Sequence, residues 1–274
     1  MVNSLTFFSK LTIEIPDKRG KKFLFRISGT VRGSQIADYL GAKLNPKSGW
    51  EKDICIHLKP ANLKCVRDGD YVDILDSKPE AALKLKDRPK IKVIAMNTPH
   101  RDWLKTFLPN EVVIIPHYHL NFERIKRARK EVTTCGYIGT NSPFHIEVNK
   151  KVRVKLERAG FKFIGLFNFT NREEIVEFYK SIDIQVIGYF DFIKDCPYYH
   201  EKKILDAMSF GIPTIAGEKL GYRDINDYYI HANNLDELIA EAIKLKGGWD
   251  AERLIKKAEE YHIKNIATKY ENLS

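Results

Sequence analysis

The stretch from His200 to Gly217, HEKKILDAMSFGIPTIAG, constrains the chain most, because it encodes a helix, its stop and a buried strand in one short run. Gly211 stands where a left-handed C-terminal cap belongs, and Pro213 has no N–H with which to continue the helix. Thr214-Ile215-Ala216 is β-branched and apolar, the composition of a central parallel strand. A return of this kind belongs to an α/β sheet whose faces are covered by helices. Lys203 and Asp206 lie about 4.5 Å apart along the helix axis at the usual rise. A lysine and a carboxylate one turn apart suit a ligand, or else a surface ion pair of little energetic consequence. Ile204, Leu205, Met208 and Phe210 are left for the core.

The rest of the chain supplies the other strands and helices of such a fold. Residues 5–15 alternate as a strand does, at Leu11, Ile13 and Ile15, and Phe23–Ile27 reads as the next. Ser28–Ser34 reads as a glycine loop that opens a helix at Ile36, Ala37, Tyr39 and Leu40. Amides at a helix start can hold an anion or a sugar hydroxyl, which makes Gly29, Arg32 and Gly33 candidates, against the plain alternative of a tight turn. The loop is not GxGxxG, so a dinucleotide fingerprint is absent. Short strands follow at 53–58, 71–75, 91–96 and 112–115, with a helix from about Pro99 to Phe107. The basic run Phe122–Lys130 reads as a linker.

A second α/β run begins at 133–138 and continues with a helix from about Glu147 to Ala159, then strands at 161–166 and 184–187. Asn171 with Glu174, and Asn234 with Glu237, mark helix starts. The last element, Asp250 to about Tyr270, is an amphipathic helix bent near His262. These readings divide the chain into an N-terminal domain (1–120), a C-terminal domain (121–250) and a terminal helix (251–274).

Composition narrows the functional classes. Of 274 residues 43% are hydrophobic and 11% aromatic, so the chain buries a core. No apolar run spans a bilayer, and the first residues lack the basic flank and long apolar region of a signal peptide. Cys55, Cys65, Cys135 and Cys196 have no paired spacing, which fits reduced thiols in the cytoplasm. The net charge of +10 favours anionic partners: a phosphorylated ligand, an acidic membrane surface or nucleic acid. The aromatics fall at core positions and the basic residues beside acids, which argues against nucleic acid. His117 and His119 share one side of an extended segment, but the sequence supplies no third ligand, so no metal site is expected.

Residues 131–245 resemble the C-terminal half of a GT-B glycosyltransferase of the retaining nucleotide-sugar family (family four, glycosyl transferases group 1). The likeness rests on GYIGT at 136–140, KILDAMSFGIPTIAG at 203–217 and YYIHANNLDELIAEAI at 228–243, with VVIIPHYHLNF at 112–122 between the domains. It is looser in the first half, at DYVDILDS (70–77) and IAMN (94–97). The resemblance implies an α/β fold of two Rossmann-like domains facing across a cleft, with the C-terminal helix crossing back to the N-terminal domain. It implies transfer of a sugar from a UDP- or GDP-sugar to a hydroxyl of a glycan or lipid-linked acceptor. Retention is implied too, the donor phosphate helping to deprotonate the acceptor, with no metal or other cofactor.

On this likeness Lys203 meets the diphosphate and Asp206 the ribose, with Gly139 and Thr140 close to the phosphates. The family's glutamate eight positions before Asp206 is Tyr198 here, which makes Asp195, Tyr198 and Tyr199 the candidate sugar contacts. The family's basic residue after the first glycine loop is missing, so Lys150, Lys151 or Arg153 stands in. Gly29, Arg32, Gly33 and His57 are the acceptor-side candidates, with His100 and His117 as further histidines for the sugar site. The competing readings are a non-catalytic GT-B-like partner subunit and a basic module binding nucleic acid or an anionic surface. A cytoplasmic location is expected, with peripheral association at a membrane surface open to it.

Overall fold

The computed structural model describes residues 4–9, 29–60, 62–75, 79–139, 143–167, 169, 171–188, 190 and 195–274. The chain divides into two compact units. Met1–His117, Pro197–His200 and Ile263–Ser274 form the first, Tyr118–Cys196 and Glu201–His262 the second. Of the stretch expected as a strand at 5–15, Leu5–Phe8 is one and residues 10–15 lie outside the described residues, as does the strand expected at 23–27.

In the first unit β1 (Leu5–Phe8), β2 (Lys43–Leu44), β3 (Ile54–Leu58), β4 (Tyr71–Asp73), β5 (Lys92–Ala95) and β6 (Val112–Ile114) form one parallel sheet in the order β2-β1-β3-β4-β5-β6. A π-helical stretch, Thr30–Gln35, runs into α1 (Ile36–Leu40), followed by α2 (Pro79–Leu83) and α3 (Thr98–Lys105). The expected glycine loop is therefore already helical at Arg32 and Gly33. Asn97 caps α3 by accepting from the His100 N–H, a contact of the kind that contributes about 1 kcal/mol. Val72, Ile74, Ile91, Val93, Leu104 and Leu108 pack as its core.

One buried ion pair organises the carboxyl ends of these strands. Arg32 Nε donates to Asp73 Oδ2 at 2.6 Å, while its other nitrogens donate to the carbonyls of Ile115 and Pro116. Asp73 also receives the N–H of Leu75 on its side chain and the N–H of Lys59 on its carbonyl. Lys59 and Leu75 both have left-handed backbones, with φ of 45° and 49°. That conformation costs a side-chain-bearing residue roughly 1–2 kcal/mol, and Asp73 holds both in place.

In the second unit β7 (Thr134–Ile138), α4 (Pro143–Arg158), β8 (Lys162–Leu166), α5 (Arg172–Ser181), β9 (Ile184–Ile187), α6 (Lys202–Ser209), β10 (Thr214–Ala216), β11 (Ile230–His231), α7 (Leu235–Lys244) and α8 (Ala251–Glu259) alternate along the chain. The parallel sheet has the order β11-β10-β9-β7-β8, a doubly wound topology with its switch point between β7 and β9. Asn171 and Asn234 cap α5 and α7 as their sequences predict. α6 ends at the expected glycine. Gly211 has φ 74°, its N–H bonds Met208 O, and the Ile212 N–H bonds Ala207 O, which together close a Schellman motif.

The expected linker is bound along α6 rather than free. Asn121 Nδ2 donates to Ser209 O at 2.9 Å, and the Arg127 N–H donates to Phe210 O at 3.0 Å. The final helix divides in two. α8 stays with the second unit, whereas α9 (Ile263–Glu271) joins the first, where Tyr270 meets Phe7 edge-on at 5.4 Å and Tyr71 Oη donates to Ser274 O. Among the described residues no helix is long and apolar enough to cross a membrane.

Candidate functional site

The switch point of the second sheet is edged by glycines. β7 and β9 pair with Gly136 opposite Gln185, and β9 and β10 pair with Ile187 opposite Ala216. Carried to the strand ends, this register sets Gly139, Gly188 and Gly217 side by side, each one residue past its strand. All three are closely approached. A Cβ on Gly188 would lie 2.5 Å from Val152 Cγ2, one on Gly217 would lie 3.0 Å from the Phe190 backbone, and one on Gly139 would collide with the Tyr137 phenol. Gly139 and Gly217 are buried and Gly188 is half-buried, at the strand ends where open α/β sheets take their ligands.

Tyr137 joins this row to the signature helix. It is fully buried between Phe167 and His145. Its hydroxyl lies 3.4 Å from Lys203 Nζ, whose ammonium sits 4.9 Å from the ring centroid. The side chain missing at Gly139 is thus room for a tyrosine that directs Lys203. The first turn of α6 is fixed from below by a buried polar network. Gln185 Nε2 donates to Lys203 O at 2.9 Å and to Thr214 Oγ1, and Tyr179 Oη donates to Gln185 Oε1 at 2.9 Å. Burial, with Asp206 nearby, pushes the Tyr179 phenol well up, so it stays a donor.

Asp206 is not the partner of Lys203. Its carboxylate takes Lys202 Nζ on both oxygens, at 2.5 and 2.7 Å, and the Leu120 N–H at 2.8 Å. Lys202 and Asp206 are both buried. Burial pushes the carboxyl up and the ammonium down, against their mutual attraction. The expected ribose ligand is therefore a clasp that ties α6 to the segment entering the unit. The sequence places a lysine at both 202 and 203, and only the three-dimensional helix decides which one the carboxylate meets.

The other candidates separate. Gly139 and Lys203 come together through Tyr137, while Thr140 lies outside the described residues. Asp195 is exposed, beside buried Cys196. Tyr198 and Tyr199 group with the first unit, where the Tyr198 ring lies 5.4 Å from Trp103 and Tyr199 O accepts from Asn97 Nδ2 at 3.1 Å. Lys150 and Arg153 pair with Glu147 and Glu157 on α4.

The acceptor-side candidates Gly29, Arg32, Gly33 and His57 are all buried in the first unit. Arg32 is 1% exposed and spends its guanidinium on Asp73 and two carbonyls, and Gly33 packs against Ser9 and Leu58, where a Cβ would lie 2.9 Å from Ser9 Cβ. His57 is buried, stacked on Phe8 at 4.9 Å, and shares a hydrogen bond with Asp70. Burial works to raise Asp70, yet hydrogen bonds from His57 and Arg67 outweigh it and hold the carboxyl below its usual range. Gly29 is buried at the head of the same helical stretch as Arg32. His100 Nδ1 faces the Met96 N–H. His117 stands 4.7 Å from His200, and His119 stands 5.4 Å from His262. Among the described residues no three His, Cys, Asp or Glu side chains gather as a metal site would require.

Tyr137, Tyr179, Gln185, Lys202, Gly188 and Gly217 were not legible as site residues. The one sequence signal was Gln185, a lone amide inside the apolar strand IQVI.

No family model and no curated protein matches the sequence. Solved structures match the fold. TarM aligns with a TM-score of 0.52 and 15% identity over 80% of this chain and 54% of its own. A TarM mutant of S. aureus in complex with Fondaparinux, alpha-GlcNAc-glycerol and UDP gives 0.52 and 17%, over 80% of this chain and 55% of its own. AviGT4, a glycosyltransferase involved in Avilamycin A biosynthesis, gives 0.55 and 10% over 97% of this chain and 96% of its own. The chain spans about half the length of TarM and nearly all of AviGT4. The class defined is therefore a fold: α/β, with two Rossmann-like domains of GT-B type.

Proposed function

We propose that this protein is a glycosyltransferase that moves a sugar from a nucleotide-diphosphate sugar, UDP- or GDP-linked, to a hydroxyl of a glycan or lipid-linked acceptor, with retention and without a metal ion. The observation that carries the reading is the in-register row Gly139, Gly188 and Gly217 at the switch point, with Lys203 held beside it by Tyr137. Open α/β sheets take their ligands beyond such strand ends, and an ammonium there offsets the negative charge that develops on the departing nucleotide. The fold shared with AviGT4 and TarM supports the same reading. Asp206 is spent on Lys202 and Leu120, so the ribose hydroxyls go to other groups, and Asp206 acts by holding α6 in place. Incubating the chain with UDP- and GDP-sugars and following nucleotide release tests the reading. Release that requires Lys203 is the expected outcome, and no release or binding with any nucleotide sugar would sink it.

A further inference from the structure

A cavity of about 150 Å³ opens at the amino ends of β10 and β11, where Pro213 precedes one strand and Tyr229 the other. It lies wholly within the second unit. At the usual strand rise Pro213 is about 13 Å from Gly217, so the cavity is remote from the glycine-edged site. Three aromatic residues line it, Tyr228, Tyr229 and Trp249, together with Asp227, Asp250 and Arg253. Trp249 is a fixed wall. Its Nε1 donates to Gly211 O at 2.8 Å, and the Arg127 guanidinium stands 5.1 Å from the ring centroid. Arg253 is held as well: Nη2 donates to Asp227 O at 3.0 Å, and the guanidinium stands 5.1 Å from the Tyr228 centroid. Asp250 caps α8 by accepting from the Arg253 N–H at 2.9 Å. Asp227, Asp250 and Arg253 are all exposed.

The mixed lining selects the occupant. A cation would meet Arg253, with Lys257 also near the Tyr228 ring at 5.4 Å, and an anion would meet two aspartates. A wholly apolar group would strip water from three charged side chains and return no hydrogen bond. A neutral ring that carries hydroxyls suits every wall. Its O–H groups donate to carboxylates, its oxygens accept from a guanidinium, and its C–H faces cover aromatic planes. Size agrees, because the cavity has the room of about five waters at ~30 Å³ each, enough for one six-membered ring. We propose that this cavity binds one neutral pyranose residue of a glycan, at a second site apart from the donor edge. The proposal stands independently of the transferase reading, since none of its residues belongs to the donor site.

NMR titration of the isotope-labelled full chain tests it, read at the Trp249 indole N–H, a signal that Trp249→Phe identifies by its loss. The probes are the methyl pyranosides of glucose, galactose, mannose and N-acetylglucosamine. Acetate, tetramethylammonium and N-acetylprolinamide serve as the charged and apolar comparisons. At least one pyranoside should shift the signal saturably and one to one, with each comparison probe at least about tenfold weaker. Asp227→Ala and Arg253→Met change exposed side chains and should each weaken that pyranoside about tenfold. UDP and GDP titrations should give the same result in both variants as in the wild-type chain. No shift with any pyranoside, a comparison probe that binds as tightly, or unchanged pyranoside affinity in either folded variant would overturn the proposal. Should Arg253→Met fail to fold, Asp227→Ala decides alone. A pyranoside shift without any nucleotide binding would sink the transferase reading and leave this site standing.

Discussion

The two units share a strand order around their switch points but finish their strands differently. In the second, the three central strands end in a row of glycines, with a lysine aimed beside them. In the first, Gly33 packs a helix onto Ser9 and Leu58 at the switch point, and the ends of β3 and β4 carry side chains, two of them on left-handed backbones. One edge packs its glycines against Tyr137, Val152 and Phe190, and the other carries side chains on left-handed backbones. Like topologies thus finish differently, because the residues just past each strand set how the edge packs.

Each edge leans on a buried ion pair, and breaking either gives the largest expected effect. Arg32→Met leaves Asp73 unpaired in the first unit, and Lys202→Met leaves Asp206 unpaired in the second. Each should cost about 3–5 kcal/mol in urea denaturation. A loss near zero for Lys202→Met would mean that α6 is held otherwise.

The second unit should also be acid-sensitive around His119. Burial, with Lys202, His262 and Arg124 around it, lowers this imidazole to about 3, so it is neutral when folded and takes up a proton on unfolding below its ordinary 6.5. The unfolded chain binds more protons in that window. Stability should therefore fall as pH drops from about 6.5 towards 3, by up to about 1.4 kcal/mol per pH unit from this group. Comparing urea midpoints of the wild-type chain and His119→Gln across that range isolates the contribution, and identical pH profiles would contradict it.

Smaller effects separate the edges directly. Gly188→Ala sets a methyl against Val152 and should cost about 1–3 kcal/mol, read from the thermal midpoint. Lys59→Gly removes left-handed strain at the other edge and should stabilise by at most about 1 kcal/mol, read from the same midpoint. Adding a Cβ at one edge and removing one at the equivalent position of the other should then act with opposite sign.

Much of this was legible in the sequence because it is local. The Gly211 stop, the Asn171 and Asn234 caps and the short apolar strands depend on neighbours a few residues away, and all recur in the structure. What escaped depends on register and on helix azimuth. The glycine row exists only once β7, β9 and β10 are paired, since Gly139, Gly188 and Gly217 are far apart in the chain. Asp206 could turn to Lys202 or Lys203 with nearly equal ease in the sequence, and the Leu120 N–H, remote in the chain, completes the clasp. Arg32 looked like a ligand-binding cation because its partner, Asp73, lies on a strand that gives no sequence sign of needing one.

The most direct test is a calorimetric titration of UDP and GDP into the wild-type chain, Lys203→Ala and Tyr137→Phe. Binding of one nucleotide, weakened at least about tenfold by Lys203→Ala and less by Tyr137→Phe at unchanged melting temperature, is the predicted result. Binding that ignores both substitutions, or no nucleotide binding by the folded wild-type chain, would contradict the claim that the glycine-edged switch point is the donor site.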